Sequence, residues 1–201
     1  MIEIINCEQG TPEWLSLRCG LVTASEFHTV MAKGKGSSVS KTRLTYLYKL
    51  LGERITGEIQ EGYSNQHMAR GNEMEQEAAD MYAMLKDAEP ETVGFVRNGE
   101  KGCSPDRLIG NNGLLEIKTK LPHIQLALLD KGEMPTEHIA QVQGQIWVCE
   151  REWCDFFSYW PKIKPFIKRI YRDDKYIENL NTEVSKFLDE LHEMEHRYRR
   201  Y

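Results

Sequence analysis

Cys103-Ser104-Pro105-Asp106-Arg107-Leu108-Ile109-Gly110-Asn111-Asn112-Gly113-Leu114-Leu115-Glu116-Ile117-Lys118-Thr119-Lys120 is the stretch that decides how this chain is read. Asp106 follows a proline turn. Arg107 to Ile109 can pair with Leu114 to Ile117 as a hairpin, because Gly110-Asn111-Asn112-Gly113 between them tolerates positive φ. Glu116 and Lys118 stand two residues apart on the second strand. Side chains alternate along a strand, so both project from one face while Ile117 points into the core. Asp106 lies at the mouth of the same hairpin. Two carboxylates and one ammonium therefore converge on one sheet edge.

Hard cations such as Mg²⁺ take oxygen ligands and keep several waters. Asp106 and Glu116 can supply carboxylates, and the Ile117 backbone carbonyl a third oxygen. Lys118 can orient or deprotonate an attacking water, or neutralise charge on a phosphorane-like transition state. One or two metals would polarise a phosphate and activate water. An ordinary hairpin with a solvated Glu–Lys pair has the same spacing, so the rest of the chain carries the decision.

With 201 residues the chain is expected to form a single domain, residues 1–201, with a real core. Hydrophobic residues at 40% and charged residues at 28% are ordinary for a globular protein. No apolar run approaches a membrane span, and the acidic N-terminal stretch does not read as a signal peptide. Five cysteines without a Cys-x-x-Cys pair read as reduced thiols in a cytoplasm. The net charge of −5 disfavours a whole-surface nucleic-acid binder, so basic residues would have to line a groove. Candidates are Lys33, Lys35, Lys41, Arg43, Arg70, Lys118, Lys120, Arg197, Arg199 and Arg200.

Thr11 and Pro12 open a helix ending at Gly20, with Arg18 in it. Thr23 and Glu26 form a capping-box pattern, which puts Ser25 in the first turn of a second helix, where free N–H groups favour an anion. Arg18 and Ser25 so outline a phosphate pocket; a solvated arginine and an assisting cap serine are the plainer reading. Helices follow over 42–56, with Leu44, Leu47, Tyr48, Leu51 and Ile55 as the apolar stripe, and over 65–86, with Met74, Ala78, Met81, Tyr82 and Leu85. On the second of these, Glu75 has Gly71, Ala78 and Ala79 as neighbours, which lets another element approach; Glu73 and Glu77 are expected in solvent. A strand over 92–97 follows the Pro90 turn. Helices are expected over 123–131 and 136–150, the latter with Gln141 and Gln145 one turn apart and able to hold a phosphate oxygen or a water. Strands over 153–160 and 165–171 and a helix over 173–198 complete the chain. The fold class is α/β (α+β), a central mixed sheet flanked by helices.

In this order the pieces resemble the bacteriophage lambda exonuclease family, the YqaJ-type viral recombinases within the PD-(D/E)xK nuclease superfamily. The likeness rests on Leu17-Arg18-x-Gly-x-x-Thr-Ala-Ser25-Glu26, Gly71-x-x-x-Glu75, Cys103-Ser104-Pro105-Asp106, Leu115-Glu116-Ile117-Lys118 and Ala140-Gln141-Val142-Gln143-x-x-x-Trp147. It implies a restriction-endonuclease-like core. It implies Asp106, Glu116 and the Ile117 carbonyl as metal ligands, Lys118 as the catalytic lysine, and Glu75 as an acidic helper acting through water. Arg18, Ser25, Ser104 and Gln141 would hold the 5′-phosphate of a DNA end, and Lys35 and Met68 would contact the separating strands.

The activity so implied is 5′→3′ degradation of linear duplex DNA from a 5′-phosphorylated end, giving mononucleotides and a 3′ single strand. Mg²⁺, with Mn²⁺ as an alternative and two ions per site, would be the cofactor. A homotrimeric ring around the DNA, whose channel could carry the positive potential, and a single-strand annealing recombinase from the same phage or prophage are the implied partners, in the cytoplasm of a bacterial host. Two other classes stay open: an endonuclease or nickase on the same core, and a catalytically inactive scaffold that binds DNA ends.

Overall fold

The structure, a computed structural model, describes residues 1–34, 39–59 and 66–199, and of residues 66–73 the backbone alone. Strand β1 (Ile2–Ile5) leads into helix α1 (Pro12–Arg18), strand β2 (Val22–Thr23), a 3₁₀ turn (Ala24–Glu26) and the four-residue helix α2 (Phe27–Val30). Two longer helices follow, α3 (Lys41–Thr56) and α4 (Gln66–Lys86). Five strands come next: β3 (Pro90–Glu91), β4 (Phe95–Asn98), β5 (Lys101–Cys103), β6 (Arg107–Ile109) and β7 (Gly113–Lys118). Helix α5 (Pro122–Lys131), a 3₁₀ turn (Thr136–His138) and α6 (Ile139–Val148) precede β8 (Trp153–Ser158), β9 (Phe166–Tyr171) and α7 (Asp174–Tyr198).

The expected central sheet is two mixed sheets. One has the order β1-β4-β5-β2, with β2 and β5 parallel; the other runs β3-β6-β7-β8-β9, with β7 and β8 parallel. The hairpin forms in the expected register, Arg107 opposite Leu115 and Ile109 opposite Gly113. Ser104-Pro105-Asp106 is the passage from the first sheet to the second. Gln9 pins that passage by donating to the carbonyls of Val93 at 2.8 Å and Pro105 at 3.1 Å.

Strand β7 is apolar on both faces because both are covered. Leu114 belongs to the main core, with Cys154 and Phe156 of β8, Val142 and Ile146 of α6, and Leu180, Phe187 and Leu191 of α7. Leu115 and Ile117 face a smaller core with Ala78, Ala79 and Tyr82 of α4 and Phe157 of β8. The small Ala78 and Ala79 let α4 lie against the strand. Within that layer Asp155 is fully buried, takes a bidentate ion pair from Arg169 and accepts from the Tyr82 hydroxyl at 2.7 Å.

Several local expectations shift. On α3 the buried side is Tyr46, Leu47, Leu50 and Leu51, while Leu44, Tyr48 and Ile55 are exposed, because α3 turns toward α7 and its buried Arg43 makes a bidentate pair with Glu190. Leu85 is exposed at the end of α4. Glu77 is exposed as expected and also accepts from the Tyr159 hydroxyl. The single strand expected over 92–97 is split, with Pro90 inside β3. Pairing decides such short strands: the two residues of β2 exist through β5. Among the basic residues considered for a groove, Arg43 and Arg199 serve intramolecular ion pairs.

Gly144 sets the seat of α6. A Cβ there would lie 2.3 Å from the Phe27 ring and 3.3 Å from the Ala24 Cβ. Gly144→Ala is expected to destabilise the fold by about 1–3 kcal/mol through overpacking, lowering the melting temperature by roughly 2–4 °C per kcal/mol. A thermal melt matching the parent would show that α6 does not depend on this close approach.

Candidate active site

Glu116 lies at the centre of the site. It is almost fully buried between β7 and α6 and is surrounded by donors. Gln141 Nε2 reaches Oε1 at 2.7 Å, Gln145 Nε2 reaches Oε2 at 2.6 Å, and Lys118 Nζ bonds Oε1 as well. Asp106 accepts from the Ile117 backbone N–H through Oδ2. The last ladder pair between β6 and β7 is Arg107 with Leu115. Ile117 therefore lies beyond β6, its N–H is taken by Asp106, and its carbonyl leaves by the same open edge. The predicted convergence of Asp106, Glu116, Lys118 and the Ile117 carbonyl is present.

The electrostatics follow from crowding. Burial, then the charge of Glu116, push the Asp106 carboxyl well above the usual carboxylate range, with Glu75 adding to the shift and Lys118 opposing it. Burial works to lower the Lys118 ammonium, but Glu116 and Asp106 reverse this and hold it above its ordinary value. Among the described residues no group of three or more His, Cys, Asp or Glu side chains forms a ready metal cage. Two carboxylates in mutual repulsion with a main-chain oxygen beside them fit a hard cation that keeps part of its water shell. Glu75 approaches from the α4 side, where Arg107 Nη1 donates to its Oε1 and to the Asp106 carbonyl oxygen, each at 2.5 Å. Next to this pair opens a cleft of about 920 Å³ lined by Trp14, Glu75, Arg107 and Gln9 among others.

Arg18 ends α1 with its guanidinium 4.2 Å from the centre of the Trp14 ring. It makes no ion pair with any described residue, and burial lowers its pKa. Trp14 Nε1 donates to Ser104 Oγ at 2.8 Å, so one indole brings Arg18 and Ser104 together. The Cys103 thiol is raised by burial and then by its contact with Cys149, with Glu116 adding to the shift and Arg18 opposing it. Ser25 is exposed and its hydroxyl meets Thr23 Oγ1 at 3.2 Å. The expected capping box is absent: Thr23 makes no cap bond, Glu26 accepts from Thr29, and the helical segment is a 3₁₀ turn plus four residues. Ser25 therefore gains little from a helix dipole; its turn packs on α6, the helix of Gln141. Lys35 and the side chains of Met68 and Arg70 lie outside the described residues, as does Arg200.

His138 escaped the sequence reading of the site, and the contacts of Gln145 and Lys120, both named there, could not be read from it. Gln145, expected beside Gln141 to hold a phosphate oxygen or a water, is buried and donates to Glu116, and its Oε1 has no partner among the described residues. Lys120 Nζ lies 3.1 Å from His138 Nε2. The His138 ring stacks on Phe156 at 5.2 Å, and burial followed by the charges of Lys120 and Lys118 lowers its pKa to about 4. Their sequence positions, 18 residues apart, gave no sign of this contact.

Comparison with known proteins places the chain. Residues 13–152 match the YqaJ-like viral recombinase domain. The chain belongs to the YqaJ-like viral recombinase family. This YqaJ-like protein is also similar to an alkaline exonuclease, LHK-Exo from Laribacter hongkongensis, at 34% identity and a TM-score of 0.85, over 94% of this chain and 97% of that one. LHK-Exo in complex with dAMP matches at 35% identity and a TM-score of 0.86 with the same coverage. A phage-related exonuclease from Haemophilus somnus shares the fold at 16% identity and a TM-score of 0.64, over 87% of this chain and 96% of that one. No curated protein matches the chain. The YqaJ-like protein is thus a nuclease by kinship, of the lambda exonuclease type, and none of its described helices is long and apolar enough to cross a membrane.

Asp106→Asn should raise the melting temperature of the metal-free YqaJ-like protein by a few degrees, at about 2–4 °C per kcal/mol, while removing turnover. The amide mimics the neutral acid and keeps an acceptor for Ile117 N–H, so a fall in melting temperature would contradict the raised carboxyl pKa. For His138 the folded pKa lies below the unfolded value. The unfolded chain therefore takes up the proton first as pH falls, and the stability contributed by the neutral ring is complete above about 6.5 and lost from there down toward about 4. His138→Asn should make the pH dependence of stability shallower across that window in denaturant titrations; an unchanged slope would show the ring protonates freely.

Proposed function

We propose that this chain is a Mg²⁺-dependent 5′→3′ exonuclease, with Mn²⁺ as a substitute. It removes mononucleotides from one strand of linear duplex DNA, starting at a 5′-phosphorylated end and leaving a 3′ single strand for annealing recombination. The observation that carries this reading is the convergence of Asp106, Glu116, Lys118 and the unladdered Ile117 carbonyl at one strand edge, the arrangement of a PD-(D/E)xK nuclease. The kinship with an alkaline exonuclease solved in complex with dAMP, a mononucleotide, supports the product class.

In this reading Asp106, Glu116 and the Ile117 carbonyl hold the cation, two ions per site, and Glu75 assists through water. When bound, the cation polarises the scissile phosphate and lowers the pKa of water. Lys118, kept as an ammonium by its two carboxylate neighbours, neutralises the charge that builds on the phosphorus oxygens. Arg18, stacked on Trp14 and in no ion pair with a described residue, presents its planar donors to the terminal 5′-phosphate beside Ser104 and Ser25. Gln141 Nε2 carries two hydrogens; one reaches Glu116 and the other is available to a phosphate oxygen. Lys35 and Met68 contact the separating strands. The protein acts as one domain, assembled as a homotrimeric ring around the DNA in the cytoplasm of a bacterial host, with a phage or prophage annealing recombinase as partner. A ring reconciles the net charge of −5 with DNA binding, because basic groups can line its channel while the rim stays acidic.

The test offers linear duplex DNA with a 5′-phosphate or a 5′-hydroxyl, and a covalently closed circle, with Mg²⁺ or with a chelator. Digestion of linear DNA alone, faster from the phosphate end and abolished by the chelator, is expected. Arg18→Ala should reduce the phosphate preference by about tenfold or more, the worth of a charged hydrogen bond. Cleavage of the circle would replace the exonuclease with an endonuclease, and end binding without cleavage would leave a scaffold.

A further inference from the structure

Lys118 is not the only ammonium at the end of β7. Lys120, two residues on, turns to the same side and its Nζ lies 3.1 Å from His138 Nε2, at the start of α6. We propose that Lys120, held by His138, binds a second DNA phosphate, the backbone group adjoining the scissile one; this rests on the nuclease reading above.

The geometry carries the assignment. His138 is fixed by stacking on Phe156, which lies opposite Glu116 in the β7–β8 register, so the ring and the lysine it holds stand beside the catalytic face. Lysine has only donors, so in the tautomer protonated at Nδ1 the His138 Nε2 accepts from Lys120 and restrains it, with Glu137 Oε1 3.3 Å from the same nitrogen. Lys118 has Glu116 as its counterion. Lys120 has only Glu137, at 3.6 Å and 69% exposed, among the described residues. An ion pair with so exposed a carboxylate contributes little. A largely buried ammonium at the N-terminal end of a helix, where the dipole favours anions and disfavours cations, does not serve stability. It is suited to an anionic occupant, and a strand whose scissile phosphate sits over Asp106 and Glu116 carries its neighbouring phosphate past one side of Lys118. A structural Lys–His pair would have no preference for any one phosphate along the strand, which makes the assignment testable.

Binding of 5′-phosphorylated duplex, measured with Ca²⁺ in place of Mg²⁺ over a range of salt, should be about tenfold weaker for Lys120→Gln, with the salt slope smaller by about one contact. Lys120→Arg should restore the slope, and His138→Asn should give an intermediate loss because the charge stays but its hold is gone. A neutral methylphosphonate scanned through the phosphates next to the scissile one should weaken the parent at one position and leave Lys120→Gln unaffected there. A Lys120→Gln protein with parent affinity and slope overturns the assignment, as do methylphosphonate losses that simply add to it. Should Lys120→Gln fail to fold, the methylphosphonate scan on the parent and on Lys120→Arg decides alone: no sensitive position overturns the proposal. A parent that neither binds nor cuts DNA ends takes the nuclease reading down with it, whereas a parent that does both beside an unaffected Lys120→Gln removes this assignment only.

Discussion

Glu116 is a carboxylate placed where a carboxylate is costly. It is nearly inaccessible to water, on a strand covered by helices on both faces, and it survives there because two amides and one ammonium donate to it. A buried charge needs hydrogen bonds and a counter-charge together, and breaking such a set leaves the remaining partners exposed to the full penalty of desolvation. The surrounding architecture supplies the donors. Helix α6 must lie low enough on β7 for Gln141 and Gln145 to reach, and on its neighbouring side the absence of a side chain at Gly144 admits the Phe27 ring.

A second passage of chain organises the second carboxylate and the Arg18–Trp14–Ser104 cluster. Because β5 and β6 belong to different sheets, the short Ser104-Pro105-Asp106 link crosses between them and delivers two groups at once. Ser104 turns toward Trp14 and the Arg18 guanidinium; Asp106 turns toward Ile117 and Glu116. The tension between Asp106 and Glu116, with Lys118 as a partial remedy, is the kind of local cost that a functional site keeps and the remaining fold offsets. The offset comes from the two apolar layers about β7 and β8, where buried phenylalanines and leucines each contribute about 1.5–3 kcal/mol.

Much of the candidate site was legible because strand alternation is a strict rule. Glu116 and Lys118 had to share a face once the glycine-flanked turn closed the hairpin, and Ile117 had to oppose them. Elements read from broad periodicity fared less well at their edges. The α3 stripe rotated, because the burial of Arg43 against Glu190 and of Tyr46 against Phe187 outweighed the local apolar pattern. The capping box at Thr23 lost to a hydroxyl contact with Ser25, since serine and threonine hydroxyls find alternative partners within a few residues.

The sequence by itself determined the hairpin, the pairing of Asp106 with Glu116 and Lys118, the capped start of α1 and the family likeness, because each depends on residues close together in the chain or on motifs in a fixed order. The tertiary structure decided the division into two sheets, the role of Trp14 as a bridge between Arg18 and Ser104, the burial of Gln145 and the contact of Lys120 with His138. Those depend on how α6 settles on β7 and how distant loops meet. Such distances are fixed by the sum of many weak packing contacts, which no single stretch of sequence displays.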